Sequence, residues 1–150
     1  MKKIQLILSG ILLIIPFVYV GMHWSDFPDR IPIHFNATGE ADGFGSKPFL
    51  WLLPIVNVII WLLTLFAYKI PQLLSMPYYN YDNVKHKKIA TDLLGWMQLL
   101  IAFFITILSL QVSYAALGHH TSIPVMPIVI FIVLLILLLV YYGRLFKNTR

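Results

Sequence analysis

Between His23 and Lys47 the chain gathers a guanidinium at Arg30, an imidazole at His34, an amide at Asn36 and two carboxylates at Glu40 and Asp42, in a stretch punctuated by Pro28, Pro32, Gly39, Gly43 and Gly45. Such a set donates, accepts and carries both signs of charge within a few residues, which suits recognition of a polar or peptide ligand. The same groups, with Asp29, could instead bond to one another and to loop backbone and fold a lid with no ligand of its own. We take Pro28, Arg30, Pro32, His34, Phe35, Asn36, Gly39, Glu40, Asp42 and Gly43 as the candidate ligand-binding residues.

Bond-breaking chemistry has little support. The chain shows no GxSxG, no serine or histidine set beside a recognisable base, no phosphate-cradling glycine loop and no pair of intramembrane aspartates, so no enzyme is expected. His23, His34, His119 and His120 fall in polar segments near Glu40 and Asp42, but HExxH and paired-His helical spacings are missing. A calcium loop over Thr38 to Phe49 would lack both its first acid and its closing glutamate. No metal or other cofactor is expected. Cysteine is absent, which removes disulfides, thiolate metal sites and cysteine nucleophiles.

The elements that must hold these residues are read from periodicity. From Arg30 to Asn36 the side chains alternate, with Ile31, Ile33 and Phe35 on one face and Arg30, Pro32, His34 and Asn36 on the other. Pro32 keeps Ile31 extended and cannot donate to a ladder, so the pattern predicts an edge or single strand across the helix tops, its apolar face sealing the structure beneath. Gly39, Gly43 and Gly45 are expected to supply turns, and Ser46 with Pro48 a cap and first turn opening the next helix.

On both sides of this segment the composition is extreme: 59% of residues are hydrophobic and 11% charged, with a mean hydropathy of +0.82. Four apolar runs, 4–22, 48–69, 93–117 and 125–142, each reach or approach the ~20 residues a helix needs to cross a bilayer. The polar segments, at most about twenty-five residues, fall short of the ~50 a separate domain requires. The prediction is an all-α integral membrane protein, residues 1–150 forming one four-transmembrane-helix bundle, with a structured extracytoplasmic loop at 23–47 and a cytoplasmic loop at 70–92. The first run closes on bulky Val18 to Trp24 where a signal peptidase wants small residues, so it is expected to stay as a span.

Orientation follows from the cations. Lys2, Lys3, Lys69, Lys85, Lys87, Lys88, Arg144, Lys147 and Arg150 share one side of a four-span arrangement, leaving Arg30 and Lys47 on the other, so both termini are expected in the cytoplasm. The net charge of +5 is then a topology signal, and no nucleic-acid partner is expected. Trp24, Trp51 and Tyr114 fall near outer ends, and Tyr68, Trp96, Tyr141 and Tyr142 near inner ends, as interfacial aromatics should; Trp61 sits deeper. Pro16, Pro54, Asn57, Gln98, Gln111 and Ser113 lie within the spans and are read as packing features, with Asn57 placed to satisfy a freed carbonyl or bridge to a neighbouring helix. Charged side chains are missing at mid-membrane, and an internal repeat is not visible, which argues against a proton relay or an alternating-access transporter.

The run Pro28-Asp29-Arg30-Ile31-Pro32-Ile33-His34-Phe35-Asn36, followed by Gly39-Glu40-Ala41-Asp42-Gly43-Phe44-Gly45-Ser46-Lys47 straight after a first span, closely resembles the bacterial domain of unknown function numbered sixteen forty-eight. That domain forms the N-terminal part of SdpI-like proteins, which confer immunity against a sporulation-delaying toxin. The resemblance covers residues 1 to about 70 and implies a bacterial inner-membrane protein. Full-length immunity proteins carry more spans and a second characteristic region, which the last two runs here do not display.

Three functions of different class follow: an immunity or binding module reading an extracytoplasmic peptide or envelope ligand, an accessory membrane subunit, and a small metal-dependent enzyme or transporter. The first is favoured. The cytoplasmic loop, with Pro71, Pro77, Tyr78, Tyr79, Tyr81 and the run Lys85-His86-Lys87-Lys88, should hug anionic lipid and is the natural place for a cytosolic partner, since the resembled immunity system captures a repressor at the membrane.

Overall fold

The computed structural model describes residues 3–70, 80, 82–119, 122 and 124–149. Lys2, Pro71, Pro77, Tyr78, Tyr79, Tyr81, His120 and Arg150, on which expectations rest, lie outside the described residues. Each apolar run is a helix: α1 (Lys3–Met22), α2 (Leu52–Lys69, continuous with a 3-10 turn over Lys47–Trp51), α3 (Val84–Ala116) and α4 (Met126–Asn148). All four are long and apolar enough to cross a membrane. Two strands, β1 (Arg30–Phe35) and β2 (Ala41–Ser46), stand between α1 and α2.

Two helix ends differ from the hydropathy reading. The segment 83–92, expected in a loop, belongs to α3 from Val84 on, because Asn83 Oδ1 caps it by accepting from the amides of Lys85 (2.9 Å) and His86 (3.4 Å). Lys85, Lys87 and Lys88 therefore ride on its first turns. At the other end of the chain α4 continues through Arg144 and Lys147 to Asn148, since helix propensity does not stop where apolarity does.

The helices run up, down, up and down, and α3 is central: it packs on α1, α2 and α4, and 44% of its most apolar window is buried, against 6% for α4. Large apolar side chains such as Ile7, Leu63, Phe103 and Leu137 are exposed on the outside, whereas Ser9, Asn57, Gln98, Thr106, Ser109 and Ser113 are buried within. This inversion of a water-soluble core suits a bundle whose outer surface faces lipid.

Several of the buried polar groups have specific work. Pro16 has no amide hydrogen, so the carbonyl of Leu12 one turn back loses its helical donor, and the Thr106 hydroxyl of α3 donates to it at 2.8 Å. Asn57 Nδ2 donates to the Ala102 carbonyl of α3 at 3.3 Å, the bridge to a neighbouring helix that its type and depth imply. Trp61 Nε1 donates to Ser9 Oγ at 3.0 Å and so ties α2 to α1. Tyr142, expected near an inner helix end, lies where α3 begins and α4 ends and is only 4% exposed, packed with Ala90, Leu93 and Phe146.

At the opposite end, the expected edge or single strand is an edge strand, one half of a two-stranded hairpin. β1 and β2 pair antiparallel, with Arg30 opposite Ser46, Pro32 opposite Phe44 and Phe35 opposite Ala41. The hairpin turn is local: Asn36 Oδ1 accepts from the amides of Thr38 and Glu40 (both 3.0 Å) and from Thr38 Oγ1 (2.6 Å), and Gly39 takes φ 85°. Gly43 and Gly45, expected in turns, lie inside β2. A Cβ at Gly43 would stand 2.8 Å from His34 Cβ, and one at Gly45 2.7 Å from Ile33 Cδ1, so both glycines make room for side chains of β1.

The expected alternation also fails. Register irregularities between Pro32 and His34 and between His34 and Phe35 re-aim the side chains: Ile31 and Pro32 are both buried, while Ile33 is 42% exposed. Ile31 alone of the β1 apolar trio enters the core beneath, where it joins Val20, Phe27, Leu50 and Ala116.

Candidate ligand-binding hairpin

Ile31 is the anchor of this site. Fully buried among α1, the 3-10 turn and the end of α3, it seats the hairpin on the bundle, and its removal from water supplies ~1.5–3 kcal/mol. Lys47 N donates to the Asp29 carbonyl (2.9 Å), which closes the base of the hairpin, while a bridge between Glu40 and Ser122 brings the α3 to α4 connection against its tip. A turn fixed by Asn36 at one end and a buried isoleucine near the other hold the exposed groups between them.

His34 and Asp42 meet across the strands, His34 Nδ1 hydrogen-bonded to Asp42 Oδ1, with side chains 71% and 45% exposed. An ionised carboxylate only accepts, so Nδ1 carries the hydrogen and Nε2 of a neutral ring is the acceptor left for a ligand. Asn36 Nδ2 donates to Glu40 Oε2 at 3.3 Å. At the base the Arg30 guanidinium sits over the Phe44 ring, 5.7 Å from its centroid, and Lys47 Nζ sits over Trp24 at 4.6 Å.

The ten candidate residues do not converge on one point. His34, Asp42 and Gly43 form one group, and Asn36, Gly39 and Glu40 form the tip. Arg30 stands at the base, five strand positions from Phe35, or roughly 16 Å along the ribbon. Pro28 is exposed beside it; Pro32 and Gly39 are buried and contribute backbone; Phe35 is half-buried. Two residues outside that set belong with it: Ile33, 42% exposed, and Phe44, 51% exposed, both within the hairpin. Phe44 is the bulky member of Asp42, Phe44 and Ser46, which alternate with Ala41, Gly43 and Gly45, a signal that can be read only once β2 is known to be a strand; the exposure of Ile33 follows from the register break.

The described histidines do not gather. His23 Nδ1 pairs with Asp26 (3.1 Å), His34 with Asp42, and His119 stacks on Tyr114 with centroids 4.4 Å apart. Among the described residues no three histidine, aspartate or glutamate side chains are grouped as a metal ion would need.

Residues 11–58, which carry the upper part of α1, the hairpin and the opening of α2, match the family model described as Domain of unknown function (DUF1648), the domain the motif in the hairpin resembles. A protein of Archaeoglobus fulgidus named only as an uncharacterized protein is 27% identical over 145 residues, covering 89% of this chain and 79% of its own length. No solved structure matches.

Proposed function

We propose that the chain is a multi-pass inner-membrane protein of the binding or immunity type, with both termini in the cytoplasm, whose hairpin recognises a peptide or other envelope ligand outside. The observation that carries this reading is the seated hairpin itself: Ile33 and Phe44 offer apolar contact, Arg30 a cation, and His34 with Asp42 and Glu40 polar and anionic groups, all exposed on a ribbon that Ile31 holds in place. Aromatic, aliphatic and charged side chains on a rigid support are what peptide recognition uses. The excess of Lys and Arg away from the hairpin supports the sidedness, and the motif's resemblance to the N-terminal domain of SdpI-like proteins supports immunity and a bacterial host.

Complementing a deletion strain challenged with membrane-active peptides tests the proposal. His34→Ala with Asp42→Ala, or Phe44→Ala, should abolish protection, while a thiol introduced at Ala37 still reacts with impermeant reagents from outside. Full protection by all of these variants would refute it. The surface of α4, 6% buried in its apolar window, favours a second reading, an accessory subunit that packs α4 against another membrane protein. In that case α4 substitutions, and not hairpin ones, would cause the loss.

A further inference from the structure

The two edges of the hairpin differ. β1 packs on α3 and on the 3-10 turn, and Pro32 within it has no amide hydrogen to offer. On β2 the side chains of Asp42, Phe44 and Ser46 are exposed, and neither proline nor lysine interrupts residues 41–46. Lys47 N donates to the Asp29 carbonyl across the base, so ladder bonds recur at every second pair from there. Ile31 with Gly45 is the next bonded pair, and Arg30 with Ser46 and Pro32 with Phe44 fall between bonds. The amide and carbonyl of Phe44 and the amide of Ser46 therefore point out of the hairpin along the β2 edge. Among the described residues no turn or loop hydrogen bond reaches them. Further along the same strand, Glu40 forms an antiparallel bridge with Ser122, on the side away from its hairpin partner Asn36. That edge already pairs with one residue of the α3 to α4 connection.

From these positions we infer that the open edge of β2 takes the ligand as an extended peptide, which adds a third strand to the hairpin. The inference rests on the reading of the hairpin as a peptide-recognition element and gives the manner of that recognition. Unpaired donors and acceptors on a sheet edge recruit another strand unless a proline, a lysine or an irregularity blocks them. From Phe44 to Ser46 the pairing with β1 is regular and the edge carries none of these. The Glu40 to Ser122 bridge makes the third strand a continuation of pairing that the fold has begun. Main-chain bonds along such an edge supply affinity, and every second side chain of the peptide supplies specificity. One of those side chains lies beside Phe44, whose ring is 51% exposed and carries the Arg30 guanidinium on it. An aromatic or β-branched residue there makes the stronger cross-strand pair. Because Ile31 seats the strand in advance, the peptide alone bears the cost of ordering.

A phage-displayed library of random octapeptides, selected on the full chain in nanodiscs and counter-selected on empty nanodiscs, supplies the probes. Enriched sequences are synthesised with N-methyl groups on either the odd or the even residues, and binding is read by fluorescence anisotropy. In an added strand every second amide points at β2, so one set should lose about tenfold or more and the other less than about twofold. Ser46→Pro should weaken binding by a similar factor through loss of the outward amide, while Ser46→Ala should bind as the unaltered chain does. Ser46 already stands at φ −78°, a backbone that proline adopts. Equal effects of the two methylation sets, or unchanged binding by Ser46→Pro, would overturn strand addition; Phe44→Ala abolishing binding in the same assay would still uphold the hairpin as the site. No enriched peptide at all would overturn the reading beneath it as well. A dimer in native mass spectrometry that Ser46→Pro separates would give the edge to a second copy and likewise end the assignment. Should Ser46→Pro fail to fold, the methylation sets on the unaltered chain still decide.

Discussion

At the hairpin end a carboxylate pairs with a histidine in the open, Asp42 with His34 on side chains 45% and 71% exposed; at the far end a half-buried carboxylate pairs with a buried phenol, Asp92 with Tyr142, which is 4% exposed. Water competes for the first pair, so it adds little to stability and can exchange partners at small cost. The second lies in a poorer dielectric between two helices, where leaving either group unpaired is expensive. The hairpin end thus keeps its stability in apolar contacts, above all Ile31, and leaves its polar groups available. The far end uses polar groups to join helices. Two carboxylates of the same chemistry serve opposite ends because their surroundings differ.

Substitutions should separate the two ends, and the largest effect is expected from Ile31→Ala. With no exposed surface to relax into, it should lose about 3 kcal/mol in unfolding titrations in detergent; a loss below about 1 kcal/mol would mean the hairpin is not seated on the bundle as described. Gly43→Ala should cost about 2 kcal/mol by the same measurement, since its new methyl meets His34 Cβ, close to the backbone, whereas Gly45→Ala should cost less because the Ile33 terminus it meets can rotate away. Tyr142→Phe should lose about 1.5 kcal/mol by removing the donor to Asp92. Within the helices Asn57→Leu is expected to cost only about 0.6 kcal/mol, the average of a hydrogen bond between membrane helices. His34→Ala should sit last, within about 0.5 kcal/mol of the unaltered chain, while eliminating protection in the complementation assay. A His34→Ala stability loss as large as that of Tyr142→Phe would erase the distinction between the two ends.

Much of this contrast was visible before any fold was known, though unevenly. The helices stand out because about twenty consecutive apolar residues make an unmistakable local sum, and the turn at Asn36 to Glu40 stands out because an Asn followed three residues later by Gly carries its own hydrogen bonds. β1 could be read from alternation, but β2 was hidden: Ala41-Asp42-Gly43-Phe44-Gly45-Ser46 has the composition of a turn, and its glycines become strand residues only when Ile33 and His34 press against them. The start of α3 was misplaced because a single capping residue, Asn83, outweighs hydropathy there. Asp92 drew no attention in the sequence, since its partner Tyr142 is 50 positions away.

What the residues determine unaided is therefore that four rods of this chain prefer hydrocarbon and that the polar segment after the first of them is a compact, turn-bearing unit, because both properties are sums over neighbours in sequence. Which polar groups meet was decided by tertiary packing: the Thr106 hydroxyl on the carbonyl that Pro16 leaves without a donor, 94 positions apart, and Asp92 with Tyr142 above a cleft. Those pairings depend on the relative height and rotation of separate helices, and no local pattern encodes a register between segments that touch only after the chain has folded.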